Sequence, residues 1–226
     1  IPFVRQTATK EVEQTNNVEK QYNKAKELLE HGISEEAIKA FNQIADIGMM
    51  EPQYQHYGCE ALKILGEVYE TGKYERIKAK VDRELAAKYY ERYIKLVEDA
   101  NILYKLGLLM LDIQNFSKAI TYLEKAAALN VAQAYMRLGD IYEKGLNRID
   151  ENGMKSDFIV PIDIEKAKSW YQKLADKGDD KAKAAVDRIE YNATHADSIE
   201  FEEVDKIYSR ISENFAALAE YTCLSR

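Results

Sequence analysis

Proline is nearly missing from this sequence. Pro2, Pro52 and Pro161 are its three examples, and positions 53–160 hold none. Proline interrupts helix interiors and sheet ladders alike, so a proline-free stretch this rich in Ala, Leu, Glu, Lys and Tyr points to helices. Cysteine is scarcer: Cys59 and Cys223 stand far apart, outside any CxxC pair and away from any His cluster. They read as two free thiols that are not bonded to each other. His31 and His195 have no other His or Cys three or four positions on, the spacing that sets two ligands on one helical face, and His56 has only Cys59, three positions on, with no third ligand beside the pair. No metal site and no cofactor are expected. No apolar run approaches the ~18–20 residues of a membrane span, so no transmembrane segment is expected. Positive charge is in the minority: 32 Lys and Arg stand against 39 Asp and Glu, a net charge of −7. That disfavours nucleic acid as a partner, because phosphate binding needs a positive field. The first residue is Ile1 and not Met. A processed or a trimmed end is therefore expected, and a missing signal peptide carries no information.

The ten glycines are few but ordered. Leu65-Gly66, Leu106-Gly107 and Leu138-Gly139 recur inside apolar helical patterns, followed three residues later by Tyr69, Met110 and Tyr142. A glycine inside a helix costs ~1 kcal/mol relative to Ala, so its recurrence predicts close helix–helix approach. Gly72 and Gly145 follow their LG glycine by six and read as helix ends. Gly32 joins them by count, which puts Lys26 at the internal-glycine position of a first, weaker unit. Gly48 and Gly178 form a third set, read as closing a second helical segment.

That second segment also repeats. Ala37, Ala86, Ala119 and Ala167 align, followed by Ala40-Phe41, Tyr89-Tyr90, Tyr122-Leu123 and Trp170-Tyr171. These offsets share one helical face. Ser34, Asp82, Asn115 and Asp163 precede the alanines as predicted N-caps. The unit is helix A, turn, helix B. The A–B connection varies in length, with long outward loops expected at 73–81 and 146–162, as helical stacks tolerate. In the third unit Ile113 stands where the turn glycine is expected.

The fourth unit, AQAYMRLGDIYEKG, then a loop, then DIEKAKSWYQKLADKGD, resembles the Sel-one-like repeat, a relative of the tetratricopeptide repeat. Gly139, Tyr142, Gly145, Ala167, Trp170 and Gly178 carry the match. Gly66, Gly72 and Ala86 repeat it in the second unit, and Gly107 and Ala119 in the third. The resemblance covers about residues 18–190. It implies an all-α superhelical solenoid of about four to five helix-turn-helix repeats. It also implies an exported or periplasmic bacterial adaptor.

Outside the repeats, residues 1–17 read as a flexible N-terminal arm. Residues 180–191 look like the A helix of a fifth unit, and Asn192 to Ser198 breaks the pattern. Residues 191–226 are expected to form a C-terminal capping region. Its amphipathic helix runs from Phe201 through Val204, Tyr208, Ile211, Phe215 and Leu218 to Tyr221.

Enzyme signatures fail on inspection. Gly66 to Lys73 has the wrong spacing for a phosphate loop, with Tyr74 in the magnesium position, and Asp150, Asn152 and Gly153 miss the calcium-loop spacing. The expected function is a non-catalytic scaffold that binds a peptide or helix of another protein on a concave face made by the A helices. Residues at −3, +1 and +4 from the LG glycine are the candidates for that face. They are Lys63, Glu67 and Glu70; Tyr104, Leu108 and Leu111; Met136, Asp140 and Glu143. The alternative is a glycan-handling enzyme or glycan-binding protein, suggested by the surplus of tyrosines and carboxylates. It would need two carboxyls ~5–9.5 Å apart in one cleft. Tyr69, Tyr90, Tyr122, Tyr142 and Tyr171 are assigned to packing, while Tyr54, Tyr57, Tyr74 and Tyr191 lie off the pattern as candidate contact residues.

Overall fold

The computed structural model describes residues 17–31, 34–74 and 77–195. Residues 1–16 of the N-terminal arm, Gly32, Cys223 and the amphipathic segment 201–221 lie outside them. Among the described residues there are nine α-helices: α1 (residues 17–30), α2 (Ser34–Met50), α3 (Gln55–Thr71), α4 (Arg83–Tyr93), α5 (Ala100–Asp112), α6 (Phe116–Ala128), α7 (Ala132–Lys144), α8 (Ile164–Ala175) and α9 (residues 180–195). Odd-numbered helices are the A helices and even-numbered ones the B helices. From α2 to α8 each packs on the next along the chain.

The repeat alanines explain the B faces. Ala37, Ala86, Ala119 and Ala167 are all fully buried, as are Phe41, Tyr90, Leu123 and Tyr171 one turn later. Three of the expected N-caps form. The side chains of Asp82, Asn115 and Asp163 accept from the backbone N–H of Leu85, Lys118 and Lys166. Each such cap stabilises its helix by ~1 kcal/mol. Asp99 and Asp179, not singled out in the sequence, cap α5 and α9 in the same way. Ser34 is the first residue of α2.

At the internal glycines the close approach is mainly to a side chain of the neighbouring helix, with its backbone also in contact at Gly107, where the Leu123 nitrogen stands 3.4 Å from the β-carbon position. A β-carbon would stand 2.6 Å from Cδ1 of Tyr90 at Gly66, 2.6 Å from Cγ of Leu123 at Gly107, and 2.6 Å from Cδ1 of Tyr171 at Gly139. Each glycine is a seat for one bulky side chain from the B helix of its own unit. Lys26 is no such seat. It is exposed, with its ammonium 5.7 Å from the centre of the Tyr22 ring, and the small buried residue of α1 is its neighbour Ala25. Backbone-to-backbone approach does occur elsewhere, between Gly48 and Gly58. A β-carbon on Gly58 would lie 2.7 Å from the Gly48 Cα. Gly48 therefore sits inside α2 and does not close it, whereas Gly178 (φ +91°) follows α8 as a true helix end.

Both expected loops are antiparallel hairpins. The first pairs β1 (Lys73–Tyr74) with β2 (Ile77–Lys78), and the second pairs β3 (Leu146–Ile149) with β4 (Lys155–Val160). Their bases close alike. The Asp82 N–H donates to the Tyr69 carbonyl at 2.9 Å, and the Asp163 N–H donates to that of Tyr142 at 2.7 Å. The chain thus returns to the same place on its A helix however long the insertion. In the third unit the turn needs a left-handed residue without glycine. Gln114 (φ +58°) supplies it, one position after Ile113. Tyr54 is a further correction: at 2% exposure it packs inside rather than offering a contact. The last helix runs on through His195, past the expected break at Asn192.

Candidate functional site

Of the nine candidate face residues, three come together. Tyr104 of α5 and Met136 and Asp140 of α7 line one open groove of about 430 Å³. Arg137, Leu174, Asp179 and Lys181 at the start of α9 line it too. The groove exists because the A helices stand side by side. Equal offsets from the LG glycine fall on the same side of α5 and α7. Tyr104 and Met136 are half-buried and Leu174 is buried, which makes the floor apolar.

Three of the six other candidates, Lys63, Glu70 and Glu143, are committed to ties inside the chain. Glu70 accepts from the Tyr90 hydroxyl at 2.7 Å and from Lys105 of the next A helix at 3.1 Å. Glu143 accepts from Tyr171 at 2.9 Å and from both terminal nitrogens of Arg188 on α9. Asp140 lies 2.9 Å from the same Tyr171 hydroxyl and 3.9 Å from Lys144. That hydroxyl has one proton, so it serves Asp140 and Glu143 one at a time. Lys63 faces Asp99 at 3.8 Å and lies 5.7 Å from the centre of the Tyr93 ring. Leu111 is buried at 9% exposure, and apolar packing holds it in the core rather than on a binding face. Leu108 is half-buried and Glu67 exposed.

These ties set the electrostatics. Arg188 holds the Glu143 carboxyl below the usual glutamate range, against the opposing effect of burial, with Tyr171 adding to it. Burial works to raise Glu91, but Lys118 at 2.7 Å and Tyr122 at 2.9 Å outweigh it and the net shift is downward. Burial and the Glu70 hydrogen bond push the Tyr90 phenol up, and burial with Asp140 and Glu143 does the same to Tyr171. A general acid for sugar hydrolysis needs a carboxyl held upward. Glu143, downward-shifted and bound to Arg188, is poorly suited to that role. Among the described residues no three His, Cys, Asp or Glu side chains are placed to hold a metal ion, and no helix is long and apolar enough to cross a membrane.

The fold resembles solved structures at low identity. A protective antigen of uropathogenic Escherichia coli displaying an SLR fold is 18% identical, with a TM-score of 0.44 over 69% of this chain and 34% of the antigen. This chain thus spans about a third of the antigen's length. A Sel1 repeat protein from Oxalobacter formigenes is 18% identical, with a TM-score of 0.43 over 73% of each chain. MamA is 22% identical, with a TM-score of 0.43 over 77% of this chain and 86% of its own. No curated protein sequence matches the chain. The Sel1 repeat model matches residues 59–95, 102–131 and 132–179, which are the second, third and fourth units described above. Such repeats typically mediate protein interactions. With its glycine seats, capped B helices and returning A–B connections matched across more than half its length, this chain belongs to the Sel1 repeat family.

Proposed function

We propose that this protein is a non-catalytic scaffold whose A-helix face grips an extended segment or helix of another protein. The observation that carries this reading is the groove across α5, α7 and α9. It joins Tyr104 and Met136, which share the offset −3 from their LG glycines, with Asp140 at +1. An apolar floor with a charged rim is what a peptide with alternating side-chain character requires. Tyrosine and methionine are also side chains enriched where proteins meet. The test is capture with chemical crosslinking from extracts of the source cell. The native chain is compared with the pair of substitutions Tyr104→Glu and Met136→Glu. Partners that crosslink to the native chain and are lost from the variant, at unchanged helicity, support the groove. Equal recovery by both chains would show that binding lies elsewhere.

A further inference from the structure

The polar ties between successive units follow a pattern, and one place in it is unfilled. Between the second and third units, the Glu70 carboxylate, four residues after Gly66, meets the Tyr90 hydroxyl and Lys105. Between α7 and α9, the Glu143 carboxylate, four residues after Gly139, meets the Tyr171 hydroxyl and Arg188. The third unit has Leu111 and Leu123 at the positions of that carboxylate and that tyrosine, and both are buried. The cation has nonetheless been kept. Arg137 stands two residues before Gly139, just as Lys105 stands two before Gly107. It is exposed, lines the groove, and makes no hydrogen bond or ion pair among the described residues. Lys181, on the same groove, is exposed and equally uncommitted. The groove's two acids keep their charge but accept within the chain: Asp140 from Tyr171, with Lys144 at 3.9 Å, and Asp179 from the Ala182 N–H. In formal charge the groove is balanced, but its cations lack the partners its carboxylates have, and they stand above an apolar floor.

We propose that Arg137 and Lys181 receive a carboxylate of an acidic partner peptide, whose adjoining apolar side chain rests on Tyr104, Met136 and Leu174. The partner's acid takes the part that Glu70 plays toward Lys105 inside the chain. A guanidinium matches a carboxylate through two parallel hydrogen bonds, so Arg137 sets the geometry, and Lys181 adds a mobile point charge. The inference rests on the groove reading above and names the chemistry of its occupant.

The test uses the full chain and three fluorescein-labelled peptides of one length. Two leucines are common to all, and the remaining charged positions are Glu, Gln or Lys. Fluorescence anisotropy is expected to show the Glu peptide binding at least about tenfold more tightly than the Gln peptide. Its affinity should fall as salt rises from about 0.05 to 0.5 M. Arg137→Gln should remove most of that preference. Arg137→Glu combined with Lys181→Glu should turn it toward the Lys peptide, a gain that a misfolded chain would not produce. Equal binding of the Glu and Gln peptides, abolished by Tyr104→Glu, would overturn the charge assignment and leave the groove reading standing. Failure of every peptide to bind at about 1 mM, or a Glu preference unchanged by the charge reversal, would also overturn it.

Discussion

The ring of Tyr171 occupies the space where a β-carbon on Gly139 would stand, with Cδ1 2.6 Å from that point. The ring is buried and its hydroxyl lies within 2.9 Å of both Asp140 and Glu143, so it cannot swing aside. Gly139→Ala is therefore expected to lower stability by about 1–3 kcal/mol through overpacking. Part of this is offset by ~1 kcal/mol of helix propensity. Denaturant midpoints measure it. A midpoint at or above that of the native chain would mean that the ring does not need the seat.

Acid should loosen the stack in a defined way. Glu143 and Glu91 both titrate below the ordinary glutamate value of 4.5 in the folded chain. Their stabilising contributions are complete above the unfolded-state value and are lost as pH falls through the lower folded values. The melting temperature should accordingly drop on going from about pH 5 to pH 3. Glu143→Gln should cost about 1 kcal/mol at neutral pH and make that drop shallower. A native chain and a Glu143→Gln chain with parallel acid profiles would remove Glu143 from the account.

Alkali acts with the opposite sign. Tyr122 is pushed up to about 12 by burial and its bond to Glu91, and Tyr93 to about 12 by burial and Asp99. A phenol that resists ionisation in the fold contributes stability below its unfolded value near 10, and that contribution is lost as pH climbs toward 12. Tyrosinate absorbance should rise in two waves, the later one coinciding with loss of helicity. A single wave near pH 10 with helicity intact would contradict the burial of these hydroxyls.

Cys59 is a buried free thiol. Burial, with Glu60 beside it, raises its pKa, so thiolate is scarce at neutral pH. It should resist aromatic disulfide reagents in the native chain and react on unfolding. Denatured, non-reduced monomer should titrate with two thiols, Cys59 and Cys223. Rapid native labelling mapped to Cys59 would show that α3 opens locally.

The helix pairs were legible because glycine inside a helix is costly and because the paired alanines share a period. What each glycine faces was not. Close backbone approach and a seat for Tyr90 leave the same mark in sequence, a small residue. Gly48 and Gly178 fell at the same count, yet one is helix interior and the other a left-handed turn, since the sequence around Gly48 does not show Gly58 opposite. The 146–162 hairpin did leave a signal, the turn pair Asn152-Gly153, with Asp150 closing the turn onto the Asn152 and Met154 amides. Its outer edge is closed by something no local pattern announces. The Gln114 side chain donates to the Ile149 carbonyl at 2.9 Å and accepts from its N–H at 2.7 Å. The face residues separated by a subtler criterion. Offset +4 points toward the next unit, so Glu70 and Glu143 were drawn into ties and Leu111 into the core.

That Gln114 contact carries its own expectation. Gln114→Ala removes both bonds to β3 while keeping the unfavourable left-handed backbone. Amide exchange at Ile149 should quicken by about two- to tenfold, with the helices unaffected. Unchanged protection at Ile149 would mean that the strand edge is held by β4 alone.

The crossing of Gly48 and Gly58 bears on how this chain can diverge. Neither glycine can gain a β-carbon while the other keeps its place, because what blocks it is backbone that cannot turn away. No compensating exchange is available either, since the opposing residue is already the smallest there is. The two positions are therefore inherited as one. Among descendants of this sequence they should remain a glycine pair or be lost together, in lineages where α2 and α3 have drawn apart.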